Sequence, residues 1–302
     1  MSEPNNTDSL ASLKVESLSI IEAAFGIGDR IGLLFSGGKD SILLLHLVLK
    51  YLQQHPSKKE LVLLHIDTGF NFNEIVDFVS ATAKKAQLRL EVGHVNALLQ
   101  AGGAAKEFEL GGRNAAQAAV LRQLIEDLNL EIVFGGARRD EDKARAKEKV
   151  FSVRPNRGGW NPSLQEPEFW NIPPLSPKRG FHYRCFPLSN WTETNVWQVV
   201  ITEKLALPNL YFAHQRRCWV TADGFITALE PESKSQGSWQ NLRVRARTVG
   251  DQFSTGFIRS LAATPAEVVQ DNENLKTSER SLRADDRFSA YSMEDRKKLG
   301  YF

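Results

Sequence analysis

The stretch from Ile31 to Leu45 constrains this chain most, because an apolar run, a glycine turn and a second apolar run follow one another without interruption. Residues 31–35 are rich in large apolar side chains, which is typical of a strand buried on both faces. Glycines 37 and 38 then allow backbone conformations that other residues avoid. From Asp40 onward, apolar residues recur at the spacing of a helix packed on a sheet. The stretch therefore predicts a strand, a tight turn and a helix in immediate succession.

A turn of this kind aims backbone N–H groups and the positive end of the helix dipole at one point. Ser36, Lys39 and Ser41 add two hydroxyls and a full positive charge there. The pattern differs from a Walker A loop, in which Ser or Thr follows the lysine, since Asp40 stands at that position here. An acid at a helix start suits the dipole, and beside phosphates it indicates a Mg²⁺ ligand. A structural glycine turn with a capping acid would need neither Lys39 nor both serines, so the turn predicts a polyphosphate site.

Length and composition narrow the class of protein. The chain has 302 residues, enough for one large domain or one domain with an appendage. Its 38 basic and 36 acidic residues leave a net charge of +2, which gives no reason to expect a nucleic-acid partner. No apolar run approaches the ~20 residues of a membrane span, and the N-terminus lacks a signal-peptide pattern. The two cysteines have no metal-ligand spacing, so we expect a protein of the reducing cytoplasm.

Strand-like and helix-like patterns alternate through the first half of the chain. Apolar runs typical of strands occupy residues 31–35, 61–66, 88–92 and 131–134, and helical periodicity covers residues 9–24, 40–49, 73–87 and 115–128. This alternation predicts an α/β fold with a mostly parallel sheet and helices on both faces. In such sheets ligands bind at the carboxyl ends of the strands.

Three predicted strands end in residues that carry chemistry. They end in the turn described above, in Asp67-Thr68-Gly69, and in Gly135-Gly136 followed by Arg138, Arg139 and Asp140. Asp-Thr-Gly is also a common plain turn after a strand, but beside a phosphate loop it is well placed to meet the nucleoside end of a nucleotide. The convergence of three such ends predicts one nucleotide site at this edge of the sheet.

The segment after the fourth strand is rich in charge. Guanidinium groups bind phosphate, sulfate or carboxylate through two hydrogen bonds, so Arg138 and Arg139 directly after a Gly-Gly turn predict an anion site. Lys143, Arg145 and Lys147 fit anion binding and an ordinary solvated helix equally well.

The remainder of the chain is less regular. Residues 151–183 are rich in Pro, Gly and Trp and are too long for a plain connector, which predicts an ordered insertion or lid near the site. A helix capped by Asn190 or Thr192 follows, and from about residue 218 a β-like region begins. We therefore expect a domain of residues 1–217 and a mixed α/β extension of residues 218–302. The tail carries Arg280, Arg283 and Arg287, and its spacing favours a solvated segment over one folded back on an anion or a partner.

Six blocks of sequence now carry a resemblance to a known family. They are residues 36–41 (Ser-Gly-Gly-Lys-Asp-Ser), 65–69 (His-Ile-Asp-Thr-Gly), 134–140 (Phe-Gly-Gly-Ala-Arg-Arg-Asp), 143–148, 186–193 (Phe-Pro-Leu-Ser-Asn-Trp-Thr-Glu) and 295–302. Together they resemble the small, catalytic subunit of heterodimeric sulfate adenylyltransferase, in the PP-loop or ATP pyrophosphatase superfamily, with an adenine nucleotide alpha-hydrolase-like fold. Residues 211–214, 247–251 and 283–287 are similar to actinobacterial members.

The resemblance implies the reaction of ATP with sulfate to give adenosine 5′-phosphosulfate and pyrophosphate. Site roles follow residue by residue, and Lys39, Arg138 and Arg139 are the implied catalytic groups. The implied ATP-binding residues are Ser36, Gly37, Gly38, Lys39, Asp40, Ser41, Asp67, Thr68, Gly69, Gly135 and Gly136. The implied sulfate-binding residues are Arg138, Arg139, Lys143 and Arg145. Asp40 would hold Mg²⁺. The family also implies a separate, larger GTPase subunit whose GTP hydrolysis drives the uphill reaction.

Alternatives to this function stay open at the level of sequence. Residues 93–112 and Arg259 depart from the family pattern, which leaves room for a specialised paralogue that adenylates another acceptor. A catalytically silent, nucleotide-binding assembly subunit is a second alternative, although Lys39, Asp40 and Arg138 are intact. A reductase of adenylyl sulfate needs a nucleophilic cysteine near its C-terminus, and none follows Cys218. An adenylating enzyme of tRNA or amide formation predicts a broad basic surface or an acceptor-binding domain, and the sequence shows neither.

Overall fold

The computed structural model describes residues 6–56, 59–156, 160–165, 176–231, 236–275 and 279–283. The elements of the larger part are α1 (Asn6–Ile27), β1 (Ile31–Leu34), α2 (Lys39–Gln54), β2 (Leu61–Asp67), α3 (Asn73–Ala86), β3 (Arg89–His94), α4 (Val95–Gln100), α5 (Ala105–Asp127), β4 (Ile132–Phe134), α6 (Lys143–Ala146), β5 (Phe151–Pro155), β6 (Phe181–Cys185) and α7 (Glu193–Thr202). The smaller part contains β7 (His214–Thr221), β8 (Ile226–Thr227), β9 (Gly237–Ala246), β10 (Gly256–Arg259) and α8 (Pro265–Glu273). Short 3-10 helices cover Pro162–Leu164, Asn209–Tyr211 and Glu279–Leu282.

The predicted α/β fold with a mostly parallel sheet is confirmed. Six strands pair in the order β3-β2-β1-β4-β6-β5, and every pairing is parallel except that of β5 with β6. Strand β1 is central, because Ile31 pairs with Leu61 on one side and with Ile132 on the other. This position explains its unbroken apolar sequence, since both faces and both edges of β1 are covered.

Two apolar cores lie on opposite faces of the sheet, because successive strand residues point to opposite sides. On one face Leu63 and Phe134 pack with residues of α1, α2, α3 and α7. On the other face Val62 and Val133 pack with Leu121 and Ile125 of α5. The helices on both faces therefore hold the strand ends in fixed positions.

The smaller part is a closed barrel with strand order β10-β8-β7-β9. Strand β7 begins at His214, so the boundary predicted between residues 217 and 218 falls inside a strand. Its first half alternates partly buried and exposed residues, which is the two-residue period of a half-buried strand. The basic residues Arg216 and Arg217 therefore belong to a strand of the barrel.

Several predicted boundaries differ from the structure. Helix α5 begins at Ala105 and not at Ala115. The sequence concealed this because Gly111 and Gly112 lower helix propensity. The charged segment 141–149 forms only the short helix α6. The predicted insertion contributes β5 and the start of β6 to the sheet, and its residues 157–159 and 166–175 lie outside the described residues, as does Arg287. Among the described residues, no helix combines the length and the apolar character needed to cross a bilayer.

Candidate active site

The carboxyl ends of β1 and β2 and the loop after β4 face one cavity. Its lining includes Ser36, Gly38, Lys39, Asp40 and Ser41 from the turn, Thr68 from the end of β2, and Gly136, Glu141 and Arg145 from the segment after β4. The opposite wall includes residues 248–251 and the side chains of Glu279, Arg280 and Arg283. The sequence-predicted strand ends therefore converge on a single cavity, which the C-terminal segment also lines.

The turn between β1 and α2 is held by its own hydroxyls. The Gly38 N–H donates to Ser36 Oγ at 3.2 Å, and Ser41 Oγ donates to the Gly38 carbonyl at 2.8 Å. Gly37 has a φ of +77°, and a Cβ there would lie 3.2 Å from the side chain of Ile75, so both backbone conformation and space favour glycine. The Lys39 N–H donates to Tyr211 Oη at 2.9 Å. The turn is thus held by hydrogen bonds from within the protein.

Lys39 and Arg138 meet in one buried network of charges. Lys39 is 1% exposed and Arg138 is 0% exposed. Asp40 accepts hydrogen bonds from Lys39 Nζ at 2.9 Å and from Arg138 Nε at 2.7 Å. The carboxylate of Glu279 accepts from the same two cations, with one oxygen on each. Two of the three predicted catalytic cations, Lys39 and Arg138, therefore share both carboxylates and belong to one site.

Burial and charge shift the pKa values of this network. Burial alone would lower the pKa of Lys39, but the carboxylates of Asp40 and Glu279 outweigh it and hold the pKa above its usual value. Burial alone would raise the pKa of Asp40, but Arg138 and Lys39 lower it to about 2. For Glu279 burial prevails over both cations and raises the pKa to about 7. Both cations and Asp40 are therefore charged at neutral pH.

The loop after β4 packs tightly on the first turn of α2. A Cβ at Gly136 would lie 3.1 Å from the backbone carbon of Asp40 and from the nitrogen of Ser41. A Cβ at Gly135 would lie 2.8 Å from the ring of Phe186. This close approach delivers Arg138 to Asp40, so the two glycines have a packing role.

The structure separates the other predicted anion-binding residues. Neither Arg138 nor Arg139 lines the cavity. Arg138 is fully buried and is connected to it through Asp40 and Glu279, whereas the Arg139 guanidinium donates to Asn190 Oδ1 at 2.8 Å and to the Glu148 carbonyl at 3.3 Å. Arg145 does line it and forms an ion pair with Glu141. The side chain of Lys143 lies outside the described residues.

The turn after β2 contributes Thr68 to the cavity lining, but not Asp67 or Gly69. Asp67 accepts a hydrogen bond from the Gly69 N–H at 2.7 Å and contacts His94 Nδ1 at 3.0 Å. The carboxylate thus stabilises the turn, which is the plain structural role that the sequence left open.

His65 lies in β2, two residues before Asp67, and was not assigned a role from the sequence. Its Nδ1 lies 2.9 Å from the Phe35 carbonyl and its Nε2 lies 2.9 Å from Asn71 Nδ2. Since a carbonyl accepts and an amide NH₂ donates, the ring is the neutral tautomer with its proton on Nδ1. Burial lowers the pKa of His65 and favours the same neutral form. The histidine therefore joins the ends of β1 and β2 through uncharged hydrogen bonds.

Sequence analysis missed Glu279 and Tyr211 and placed the tail arginines in solvent. Arg280 is 7% exposed, and both Arg280 and Arg283 line the cavity, so the solvated interpretation is wrong for this part of the tail. Glu279 contacts a lysine 240 residues earlier. No local spacing reveals a contact between residues so far apart in the chain. The contact agrees with the less favoured alternative, in which the tail folds back.

The cavity also contains a group of acidic side chains. One carboxylate oxygen each from Asp40, Glu141 and Glu279 lies within 4.8 Å of the others. Oxygen ligands of this kind are those that Mg²⁺ prefers. Asp40, the predicted Mg²⁺ ligand, therefore lies beside two further carboxylates, those of Glu141 and Glu279.

Comparison with known proteins agrees with this geometry. A family model described as the phosphoadenosine phosphosulfate reductase domain matches residues 30–257. The chain is 42% identical over 301 residues to sulfate adenylyltransferase subunit 2 of Streptomyces lavendulae, which is 99% of this chain and 93% of that protein. Subunit 2 of Mycolicibacterium vanbaalenii is 40% identical over 296 residues, 97% of this chain and 94% of that protein.

A solved structure supports the fold alone. FMN adenylyltransferase of Candida glabrata in complex with FAD and inorganic pyrophosphate has a TM-score of 0.50 and 17% sequence identity, covering 70% of this chain and 64% of that chain. The family assignment therefore rests on the two relatives of similar sequence, which confirm the resemblance seen in the motifs. The chain has the phosphoadenosine phosphosulfate reductase domain and belongs to the sulfate adenylyltransferase subunit 2 family, a class of nucleotidyltransferases.

Proposed function

We propose that this chain transfers the adenylyl group of ATP to sulfate. A sulfate oxygen attacks the α-phosphorus, the bond from that phosphorus to the bridging oxygen of the β-phosphate breaks, and adenosine 5′-phosphosulfate and pyrophosphate result. The proposal rests chiefly on one observation: beside the glycine turn, Lys39 and Arg138 both form ion pairs with the carboxylates of Asp40 and Glu279. Family membership supplies the acceptor, since the relatives are named for sulfate.

The turn is proposed to hold the part of ATP that leaves. Residues 36–41 offer hydroxyls, a helix N-terminus and Lys39 to the β- and γ-phosphates. Gly136 lets the loop after β4 approach closely enough to bring Arg138 beside them. Thr68, at the end of β2, is proposed to border the nucleoside.

Catalysis in this proposal depends on alignment and charge. Sulfate is already a nucleophilic anion, so no side chain is required to remove a proton from it. Arg138 and Arg145 would neutralise the negative charge that crowds around the α-phosphate as sulfate approaches. Arg139 would act indirectly, because its contacts with Asn190 and the Glu148 carbonyl fix the loop that carries Arg138. Mg²⁺, held by Asp40 and Glu141, would supply further neutralisation of the phosphate oxygens.

A partner subunit is part of the proposal. The name subunit 2 of the relatives implies a complex, and we propose that the other subunit is a GTPase whose hydrolysis of GTP drives the unfavourable reaction. The proposed location remains a reducing compartment such as the cytoplasm, consistent with Cys185 and Cys218 being buried and unpaired.

The test is sulfate-dependent release of pyrophosphate from ATP, measured with Mg²⁺ and with or without the GTPase subunit and GTP. We expect Lys39→Ala to lower kcat/KM about 100-fold or more, as removal of a group that stabilises transition-state charge does. Lys84→Ala, which removes the same charge from an exposed position on α3, is the matched control and should retain activity. Equal activity of Lys39→Ala and the control would refute the proposal. A rate independent of sulfate but dependent on another oxyanion would identify a different acceptor.

A further inference from the structure

The carboxylate of Glu279 lies where the proposed function needs an anion. Glu279 is 6% exposed, and its two oxygens accept hydrogen bonds from Lys39 Nζ and Arg138 Nη2. A carboxylate that bridges two cations in this way presents two oxygens much as a phosphate group does. The protein therefore contains an anion of its own on the two cations assigned to the triphosphate.

Glu279 also lies close to other carboxylates, which repel its negative charge, so its ion pairs with Lys39 and Arg138 are not simply stabilising. Asp40 contacts the same two cations, and Glu141 contributes a third carboxylate within 4.8 Å. Burial raises the pKa of Glu279 to about 7, with Asp40 and Glu193 acting in the same direction. A triphosphate arriving at Lys39 and Arg138 would add several negative charges beside this group. Glu279 and the ligand cannot both keep these contacts without strong repulsion.

The segment that carries Glu279 is short and packs against the start of β10. It is a 3-10 helix of four residues, Glu279–Leu282. It is joined to the body by a β-bridge between Arg283 and Thr255 and by close packing of the Leu282 carbonyl on Gly256, where a Cβ would lie 1.9 Å from that oxygen. These anchors hold the end of the segment, so the Glu279 side chain can leave the cations without unfolding of the sheet or of α2.

We propose that Glu279 is an internal competitor for the anion site, which neutralises Lys39 and Arg138 in the ligand-free protein and is displaced when a polyphosphate binds. The proposal rests on the proposed function for the identity of the ligand. Its consequence is specificity, because a polyphosphate offers enough oxygens to replace both contacts of Glu279, whereas a singly charged anion does not. Glu279 would thus set a minimum charge for entry to the site.

The first test is titration calorimetry of inorganic pyrophosphate into the full chain, with and without Mg²⁺. If the open form is about one tenth of the ligand-free protein, Glu279→Gln lowers the apparent Kd about tenfold. Glu273→Gln, which removes the same charge from an exposed position on α8, should leave the Kd unchanged. An unchanged or weaker affinity of Glu279→Gln overturns the proposal. Weakening only in the presence of Mg²⁺ would show that Glu279 holds the cation instead.

The second test uses the unaltered chain and does not depend on how the variant folds. In a crystal structure of the unaltered chain with pyrophosphate, the carboxylate of Glu279 should lie beyond hydrogen-bond distance of Lys39 Nζ and Arg138 Nη2, the two cations that it contacts in the ligand-free protein. A structure with pyrophosphate that keeps both contacts overturns the proposal. Neither test measures turnover, so a chain that binds pyrophosphate as expected but forms no adenosine 5′-phosphosulfate would refute the proposed function and leave the role of Glu279 intact.

Discussion

Replacing Arg138 with methionine tests the energetics of the buried network most severely. The guanidinium is 0% exposed and donates to Asp40 at 2.7 Å, to Asp140 at 2.6 Å and to Glu279. Methionine fills much of the same space but leaves Asp40 and Glu279 with Lys39 as the cation they share. Removing one partner of a buried ion pair costs about 3–5 kcal/mol because the remaining charge stays buried without compensation. The contact with Asp140 adds little, since that side chain is 36% exposed.

The sign of the pH dependence follows from Glu279. Its pKa in the folded protein is about 7, above the value of 4.5 for an exposed glutamate, and loss of Arg138 removes a cation that lowers it. The folded variant therefore binds more protons than the unfolded chain between about pH 5 and 8, and its stability falls as the pH rises through this range. We expect the deficit relative to the unaltered protein to be larger at pH 8 than at pH 6. A second substitution, Glu279→Gln, should recover part of the deficit at pH 8.

The assay is urea unfolding at both pH values, followed by tryptophan fluorescence. Arg89→Met is the control, because Arg89 is half exposed and its pairs with Glu60 and Glu91 lie at the surface. Such pairs contribute about 0–1 kcal/mol, so the control should unfold almost as the unaltered chain does. A loss below about 1 kcal/mol for Arg138→Met at pH 8, or a deficit that is larger at pH 6, would refute the reasoning.

Gly136, His65 and Thr192 can each be tested by a single substitution. Gly136→Ala should lower the rate of pyrophosphate release at least tenfold and cost about 1–3 kcal/mol of stability, because its Cβ would press on the start of α2. Activity and thermal unfolding measured together check this, and unchanged activity contradicts it. His65 has a lowered pKa and a neutral ring that is hydrogen-bonded to Asn71. Its contribution to stability is therefore full above about pH 6.5 and is lost as the pH falls through its folded pKa. His65→Gln should flatten this pH dependence in unfolding experiments at pH 5 to 7, and an unaltered slope would contradict the assignment of a neutral ring. Thr192→Ala removes the capping box that Thr192 forms with Asn195 at the start of α7. The substitution should lower the free energy of unfolding by about 1 kcal/mol and leave kcat unchanged. A loss of activity without loss of stability would instead show a direct role of Thr192 in the site.

The part of the site that could be predicted from sequence is the part that neighbouring residues determine. The turn after β1 is a local structure, and its glycines, lysine and serines stand next to one another in the chain. Parallel topology then places the ends of β1, β2 and β4 at one edge of the sheet. Local pattern and this single topological rule were sufficient to bring Lys39, Thr68 and Arg138 together.

The residues that were missed depend on contacts across the chain. Glu279 lies 240 residues from Lys39 and Tyr211 lies 172 residues from it. The polar composition around Arg280 is typical of a solvated tail, and only the folded barrel shows that this segment reaches the cavity. Arg139 stands beside Arg138 in sequence but points to Asn190, since adjacent residues of a turn need not share a direction. Spacing identified the loop and could not decide which guanidinium contacts Asp40 and Glu279.

We propose that the turn after β1 holds a triphosphate whose α-phosphorus faces Arg138. A crystal structure of the full chain with Mg²⁺ and a non-hydrolysable ATP analogue tests it most directly. We expect β- and γ-phosphate oxygens within hydrogen-bond distance of the turn and of Lys39 Nζ, and Arg138 beside the α-phosphate. A triphosphate bound elsewhere, or bound at the turn with Arg138 in a separate cavity, would contradict it.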